Sequence, residues 1–96
     1  MRWIWDPAKN RANHRTHGLS FESAAFVFDD PMAATLEDPH SDERRWRTIG
    51  MVGNQVGMVV HTWPNLDPVT GDEVGRIISA RKATRHERAA YEEGYQ

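Results

Sequence analysis

The segment Arg76–Arg88 constrains the fold of this chain more than any other, because it predicts a β-strand that runs almost directly into a helix. Ile77 and Ile78 have the β-branched character of a buried strand. Thr84 and Glu87 have the spacing of a capping box, in which each side chain accepts a hydrogen bond from a main-chain N–H at the start of a helix. We therefore expect a sheet whose last strand leads into a helix.

This segment also holds five of the twelve Lys and Arg residues of the chain: Arg76, Arg81, Lys82, Arg85 and Arg88. A rigid strand–helix junction fixes these cations in place, and the open N–H groups at the helix start add to the attraction for anions. We expect the junction to bind a phosphate-rich ligand, and RNA is the first candidate.

Length and composition indicate a small globular protein. The chain has 96 residues, so we expect residues 1–96 to form a single domain. It has no cysteine, which excludes disulfides and cysteine-based metal sites. The residues after Met1 lack the apolar segment of a signal peptide, and no apolar run has the length of a membrane span. We therefore expect a cytoplasmic protein that does not associate with a membrane.

The net charge of −2 conceals a strong segregation of charge along the chain. Residues 21–43 carry seven acids and no Lys or Arg, whereas residues 1–20, 44–63 and 76–96 are each basic. The basic segments can converge on one face of the fold, which would attract an anionic partner. The alternative is that the charges solvate separate surfaces.

Local signals predict the element order β-α-α-β-β-β-β-α. Asp6 and Pro7 form an N-cap and first helical residue, and Gly18 is a good cap after a helix that ends near His17. The other predicted elements are a strand at 3–5, a helix at 21–28 capped by Ser20, strands at 33–37, 45–52, 56–63 and 74–82, an irregular loop at 64–71, and a helix at 85–93. This order favours the α+β class, with about four antiparallel strands.

Four blocks of sequence stand in a specific order and spacing. They are Trp5-Asp6-Pro7-Ala8-Lys9 with Asn13 and His17-Gly18-Leu19-Ser20-Phe21-Glu22, then Glu43-Arg44-Arg45-Trp46, then Val59-Val60-His61-Thr62, and finally Arg76 to Thr84 with Glu87-Arg88. Together they resemble the BrnT family of toxins from bacterial type II toxin–antitoxin systems. The resemblance covers nearly the whole chain and implies a RelE-like fold and ribonuclease activity.

The resemblance also implies partners and a reaction. A BrnA-like antitoxin of the ribbon-helix-helix type would cover the active groove, and operator DNA would be bound only indirectly, through that antitoxin. The implied reaction is RNA cleavage without a metal or cofactor, in which the ribose 2′-OH attacks the adjacent phosphate. Such a reaction needs a base, cations around the developing charge and an acid for the leaving oxygen.

Arg81 and Arg76 are the first candidates for binding the phosphate, because arginine presents a planar fork of donors and stays protonated. They lie five positions apart, so in a regular strand they face opposite sides of the sheet. Unless the strand twists or bulges, they cannot line one groove, and we favour Arg81. The alternative is that each is a surface cation paired with an acid.

His61 is the best candidate for general acid–base catalysis, since histidine titrates near neutral pH. It follows an apolar strand in which Val59 and His61 share one face, and the alternative role for it is structural. Glu43 is the second candidate for the base, with Arg45 two residues further along as a catalytic cation. The alternative for Glu43 is a solvated loop acid.

Further cations are candidates for contacts to the RNA backbone. Lys9 and His17 lie on the first helix, where His17 can instead cap the helix end. Arg85 and Arg88 begin the last helix, an unfavourable place for cations that hints at an anionic partner. Lys82 completes the set of expected RNA-binding residues, which also includes Arg76.

Acids and histidine near residue 40 do not have the spacing of a metal site, so we expect none at Asp38, His40, Asp42 and Glu43.

Two departures from the family leave an alternative function open. Thr16 stands where the family usually has lysine, and the segment 63–72 replaces a usually short polar or basic loop. The alternative is a catalytically inactive RelE-like module that binds an antitoxin or another acidic partner.

Overall fold

A mixed β-sheet with helices at one edge and on both faces forms the centre of the fold. The computed structural model describes residues 1–39 and 42–94. Its elements in chain order are β1 (Arg2–Ile4), α1 (Pro7–His17), α2 (Phe21–Ala24), a 3-10 helix (Ala25–Asp29), β2 (Ala34–Asp38), β3 (Arg45–Val52), β4 (Gln55–His61), β5 (Asn65–Leu66), β6 (Glu73–Lys82) and α3 (Arg85–Glu93). The strands follow the order β1-β6-β4-β3-β2, and β5 pairs with the start of β6.

The α+β class predicted from the sequence is confirmed, and the sheet has more strands than expected. β2, β3, β4 and β6 are the four expected antiparallel strands, and they pair as β2 with β3, β3 with β4, and β4 with β6. β1 lies parallel to β6, which makes the sheet mixed. The loop expected at 64–71 contains β5, because a hydrogen bond from Asp67 N to Asp72 O helps to close this segment into a hairpin with β6.

The single helix expected over residues 21–28 is divided. Ser20 caps α2 as predicted, but after Ala24 the chain tightens into the 3-10 helix. A 3-10 helix has three residues per turn, so side chains three positions apart lie directly above one another in one line. Ala24 and Val27 are accordingly both fully buried, and the next residue on this line, Asp30, accepts a hydrogen bond from Met51 N at 2.8 Å. Phe26, which lies off this line, is 61% exposed.

Helix α1 is held by asparagine hydrogen bonds rather than by apolar burial, since none of its residues is buried. The predicted caps are present: Asp6 accepts from Ala8 N and Lys9 N, and Gly18 takes the left-handed conformation. The Asn13 amide donates to Ala80 O at 2.7 Å and accepts from Ala80 N at 3.2 Å. Asn13 therefore occupies the edge of β6 beyond the end of β1, where unpaired main-chain groups would otherwise remain.

A β-bulge in β6 decides which residues face each side of the sheet. Val60 of β4 pairs with Ser79, whereas the next residue, His61, pairs with Ile77. Ile78 is therefore an extra residue in β6, and the alternation of side chains shifts by one position at this point. As a result, Ile77 and Ala80, on either side of the bulge, both face the first core, while Ile78 packs against the second.

The first face of the sheet packs on α2 and the 3-10 helix. Its core consists of Val52, Val59, Ile77 and Ala80 from the sheet with Leu19, Phe21, Ala24 and Val27. The second face packs on α3, and its core consists of Ile49, Val56, Met58, Val60 and Ala83, with Met51, Ile78 and Tyr91 packed against it. Val56, Met58 and Val60 thus share one face, as the period of two in the sequence predicts.

Tyr91 fixes α3 to the second face, as its apolar body and polar tip allow. Its ring packs against the second core, and its hydroxyl donates a short hydrogen bond to the Asp30 carboxylate. This bond, aided by burial, raises the pKa of Tyr91 to about 12. The same bond lowers the pKa of Asp30, which also accepts from the main chain of Met51 and Met32.

Replacing Asn13 by Ala should lower the free energy of unfolding by about 2 kcal/mol, because the Ala80 and Leu19 main-chain groups lose their partner. Urea denaturation measures the change. Thr16→Ala, at an exposed position of the same helix, is the matched control and should remain within about 0.5 kcal/mol of the parent. Equal stability of the two variants would contradict this account of α1.

Candidate functional site

Four arginines lie on the second face of the sheet: Arg45 and Arg47 on β3, and Arg76 and Arg81 on β6. We call these four residues the arginine face. Arg47 pairs with Val60 and Arg81 pairs with Met58, and both partners belong to the core of the second face. Arg45 is two positions from Arg47 on the same strand and therefore shares its side.

The bulge brings Arg76 to this face together with Arg81. Arg76 neighbours Ile77, which faces the first core, so its side chain points to the second side. The expectation that Arg76 and Arg81 face opposite sides is therefore wrong, because it assumed a regular strand. With one extra residue at Ile78, a spacing of five places both on the same side.

Arg45 and Arg47 carry buried donors without an acceptor. Both residues are half-buried, and the Nε atom of each is buried with no hydrogen-bond partner among the described residues. Two positions on one strand are about 7 Å apart, so the two guanidinium groups project side by side from the same face. Arg47 was missed from the sequence, although its spacing of two from Arg45 was the available signal.

Arg76 is paired with Glu43, the acid predicted as an alternative base. The distance from the Arg76 guanidinium to the Glu43 carboxylate is 2.6 Å, and both side chains are about half exposed. Hydrogen bonds between Thr62 and the main chain of Arg76 continue the ladder of β4 and β6 to this point. Glu43 therefore stands at the same end of the sheet as Arg45, although it precedes β3, so the strand spacing considered for these two residues does not apply.

Arg81 is committed to a bidentate ion pair with Glu87. Its two guanidinium nitrogens donate to the two carboxylate oxygens at 2.7 and 3.0 Å. Glu87 also closes the predicted capping box with Thr84. The bond from Arg81, helped by that from the Thr84 main chain, lowers the pKa of Glu87 to about 2. Arg81 is therefore paired with an acid, which was the alternative stated for it, and this pair links β6 to the start of α3.

His61 lies on the first face and is only 2% exposed. Its Nε2 is 2.6 Å from the Thr48 hydroxyl, and its Nδ1 is 2.8 Å from the Thr62 carbonyl. Because the carbonyl can only accept, Nδ1 carries the proton and Nε2 accepts from Thr48. The rings of Trp3 and Phe28 pack edge-on against it. Burial lowers the pKa of His61, so this environment favours the neutral, structural histidine over the catalytic one.

The remaining predicted RNA contacts do not join the arginine face. Lys9 and His17 are exposed on α1, one turn to either side of Asn13. Lys82 pairs with Gly57 and points to the first side of the sheet. Arg85 and Arg88 are exposed in the first turns of α3, beside the arginine face. Two of the three basic segments therefore meet on the second face, whereas α1 lies at the β6 edge.

Metal ligation and membrane insertion find no support in the described residues. Within residues 1–39 and 42–94, no three His, Asp or Glu side chains form a group that could hold a metal ion. His40 lies outside the described residues. The longest helix in that part of the chain, α1, has 11 residues, and none there has the length and apolar character to cross a membrane.

Fold and site together define a small α+β protein with a mixed sheet, one face of which carries four arginines. The sequence model of one family, described as the ribonuclease toxin BrnT of type II toxin–antitoxin systems, matches residues 5–87. The chain belongs to this BrnT family, and its partner is accordingly a cognate antitoxin. No curated protein matches the chain.

Glu87→Gln should lower the free energy of unfolding by about 1 kcal/mol at pH 7, since glutamine keeps the cap but loses the charged pair. The pKa of Glu87 falls from 4.5 to about 2 on folding. Its stabilisation is therefore full above pH 4.5 and is lost as the pH falls toward 2. Urea denaturation at pH 7, 4 and 3 should show the gap between parent and variant closing. A constant gap would contradict the ion pair, and Glu92→Gln on the exposed side of α3 serves as control.

His61→Gln tests the buried imidazole. Because the folded pKa of His61 lies below 6.5, the unfolded chain binds a proton that the folded chain resists. The free energy of unfolding of the parent should therefore decrease as the pH falls below 6.5, and that of His61→Gln should decrease less. Urea denaturation at pH 8, 6.5 and 5 measures the two slopes. Equal slopes would show that His61 titrates freely.

Proposed function

We propose that this BrnT-family protein is a metal-independent endoribonuclease of the mRNA-interferase type, which cleaves RNA at the arginine face and thereby inhibits translation. The observation that carries the proposal is the pair Arg45 and Arg47, whose buried Nε donors lack an acceptor among the described residues. A buried donor without a partner costs about 1–3 kcal/mol, and a bound phosphate would supply the missing acceptor.

The reaction begins with attack of a ribose 2′-OH on the adjacent phosphate. In the proposed mechanism Glu43 accepts the 2′-OH proton, while its ion pair with Arg76 orients the carboxylate. Arg45 and Arg47 donate to the phosphate oxygens, on which negative charge develops in the transition state. The bond to the 5′-oxygen then breaks, this oxygen takes a proton from water, and the RNA is left with a 2′,3′-cyclic phosphate.

Other predicted residues take supporting roles in this proposal. Arg81 positions the junction through Glu87 and does not touch the reacting atoms. Arg85 and Arg88 contact flanking phosphates from the exposed first turns of α3. His61 supports the core, and Lys9, His17 and Lys82 stay predicted contacts to RNA outside the arginine face.

The antitoxin is proposed to be of the BrnA-like ribbon-helix-helix type and to act in the cytoplasm. It would cover the arginine face with an acidic segment, since opposite charges both steer association and exclude the RNA. Operator DNA would be contacted by the antitoxin, and the toxin would reach it only through that partner.

A catalytically inactive binding module is the second candidate, and a specific observation favours it. Arg76 and Arg81 each carry an acid partner already, and the proposed base Glu43 is one of those partners. In that case the arginine face would bind an acidic protein or RNA without cleaving it.

Arg47→Ala and Arg45→Ala should each reduce the rate of RNA cleavage by about a hundredfold, since each removes one donor from the developing charge. The assay uses purified protein, unstructured RNA and excess EDTA, with detection of 2′,3′-cyclic phosphate ends. Arg15→Ala is the matched control: its residue lies about 160° around α1 from Asn13, away from the sheet, and it should cleave like the parent.

Three results would count against the proposal. Parent protein that binds RNA but leaves it intact would establish the binding module instead. Activity that disappears with EDTA would contradict metal independence. The third is full cleavage activity in both Arg45→Ala and Arg47→Ala together with loss of cleavage in a folded His61→Gln variant. That result would assign catalysis to His61 on the first face.

A further inference from the structure

A cleft opens at the ends of β3 and β4. It has a volume of about 600 Å³ and is lined by Glu43, Arg44, Trp46, Thr62, Trp63 and Asn65. We call it the tryptophan cleft. Glu43 is paired with the Arg76 guanidinium, and Thr62 bonds to the Arg76 main chain. Trp46 pairs with His61 and therefore lies on the first side of the sheet, opposite the arginine face. The cleft meets the proposed active site at the end of the sheet, where both include Glu43.

The two tryptophans of this cleft present open ring surface. Their ring centroids are 4.9 Å apart, and the rings are tilted by 58°. The Arg44 guanidinium carbon lies 5.4 Å from the Trp46 ring centroid, within the range of a cation–π contact. Trp63 remains 56% exposed. Apolar burial therefore does not explain the exposed part of Trp63, which is free to stack with a flat ligand.

Polar groups in the same cleft match the edge of a nucleobase. Asn65 contributes an amide that can both donate and accept, and Thr62 contributes a hydroxyl. Glu43 contributes carboxylate oxygens, which accept hydrogen bonds from exocyclic amino or ring N–H groups. An aromatic surface with such polar groups at its border is the arrangement by which proteins hold an unpaired base.

We propose that the tryptophan cleft binds one unpaired base of the RNA next to the scissile phosphate, with Trp63 as the stacking platform and Asn65 at the base edge. The inference rests on the proposed function, because the neighbouring phosphate would occupy the arginine face. The cleft would then determine at which bases the RNA is cut. The Glu43 carboxylate in its wall disfavours an acidic peptide as the occupant.

The test measures binding and cleavage separately. Binding uses 2′-O-methyl octanucleotides of A, C, G and U, in which the attacking hydroxyl is blocked, each with a fluorescent end label whose anisotropy is the readout. Trp63→Leu should weaken binding about tenfold, because it removes one base–aromatic stack, and Trp63→Phe should restore most of it. Asn65→Ala should change the order of preference among the four oligonucleotides, with the positions of cleavage in unmodified RNA changing likewise.

Leu66→Ala is the matched control, since Leu66 neighbours Asn65 on β5, is 66% exposed and does not line the cleft. It should bind within twofold of the parent. The inference would be overturned, and the proposed function would stand, if Trp63→Leu bound all four octanucleotides like the parent or cut RNA at unchanged positions. Parent protein that binds with a base preference but never cleaves would overturn the proposed function alone. Intact RNA binding with weakened binding of the purified antitoxin in Trp63→Leu would make the cleft a protein interface.

Discussion

The single extra residue in β6 is the constraint on which the two sides of this molecule depend. The bulge at Ile78 lets Ile77 and Ala80 face the first core, although an odd spacing of three would separate them in a regular strand. On the other side it aligns Arg76 with Arg81. Without the bulge, one of these two arginines would point into the core of the first face, where a charge is costly to bury.

The acidic stretch identified in the sequence serves the fold more than it serves the surface. Glu22 accepts from the Asn10 amide, and Asp30 joins the 3-10 helix to β3 and to Tyr91. Glu43 neutralises Arg76, which reduces repulsion on the arginine face. Two acids of this stretch thus pair with arginines of the basic segments, Glu37 with Arg44 and Glu43 with Arg76.

Local sequence signals predicted much of the fold, because caps, turns and β-branched runs act within a few residues. The bounds of β3 and of α1, and the capping box at Thr84, are the clearest examples. The bulge could not be predicted, since it depends on how β6 meets β4. The surroundings of His61 could not be predicted for a similar reason, since a histidine at the end of a strand has the same local sequence whether its ring meets solvent or the Thr48 hydroxyl of β3.

The arginines differ in how readily they can exchange a protein partner for a phosphate. Arg81 donates two hydrogen bonds to the Glu87 carboxylate, and the Glu87 side chain is only 16% exposed. Because Glu87 also caps α3, breaking this ion pair would destabilise the start of the helix. Arg76 holds Glu43 across a half-exposed surface, where an ion pair contributes at most about 1 kcal/mol. The Nε donors of Arg45 and Arg47 have nothing to release. Phosphate binding is therefore least costly at the end of the sheet away from α3, which is also the end where the tryptophan cleft opens.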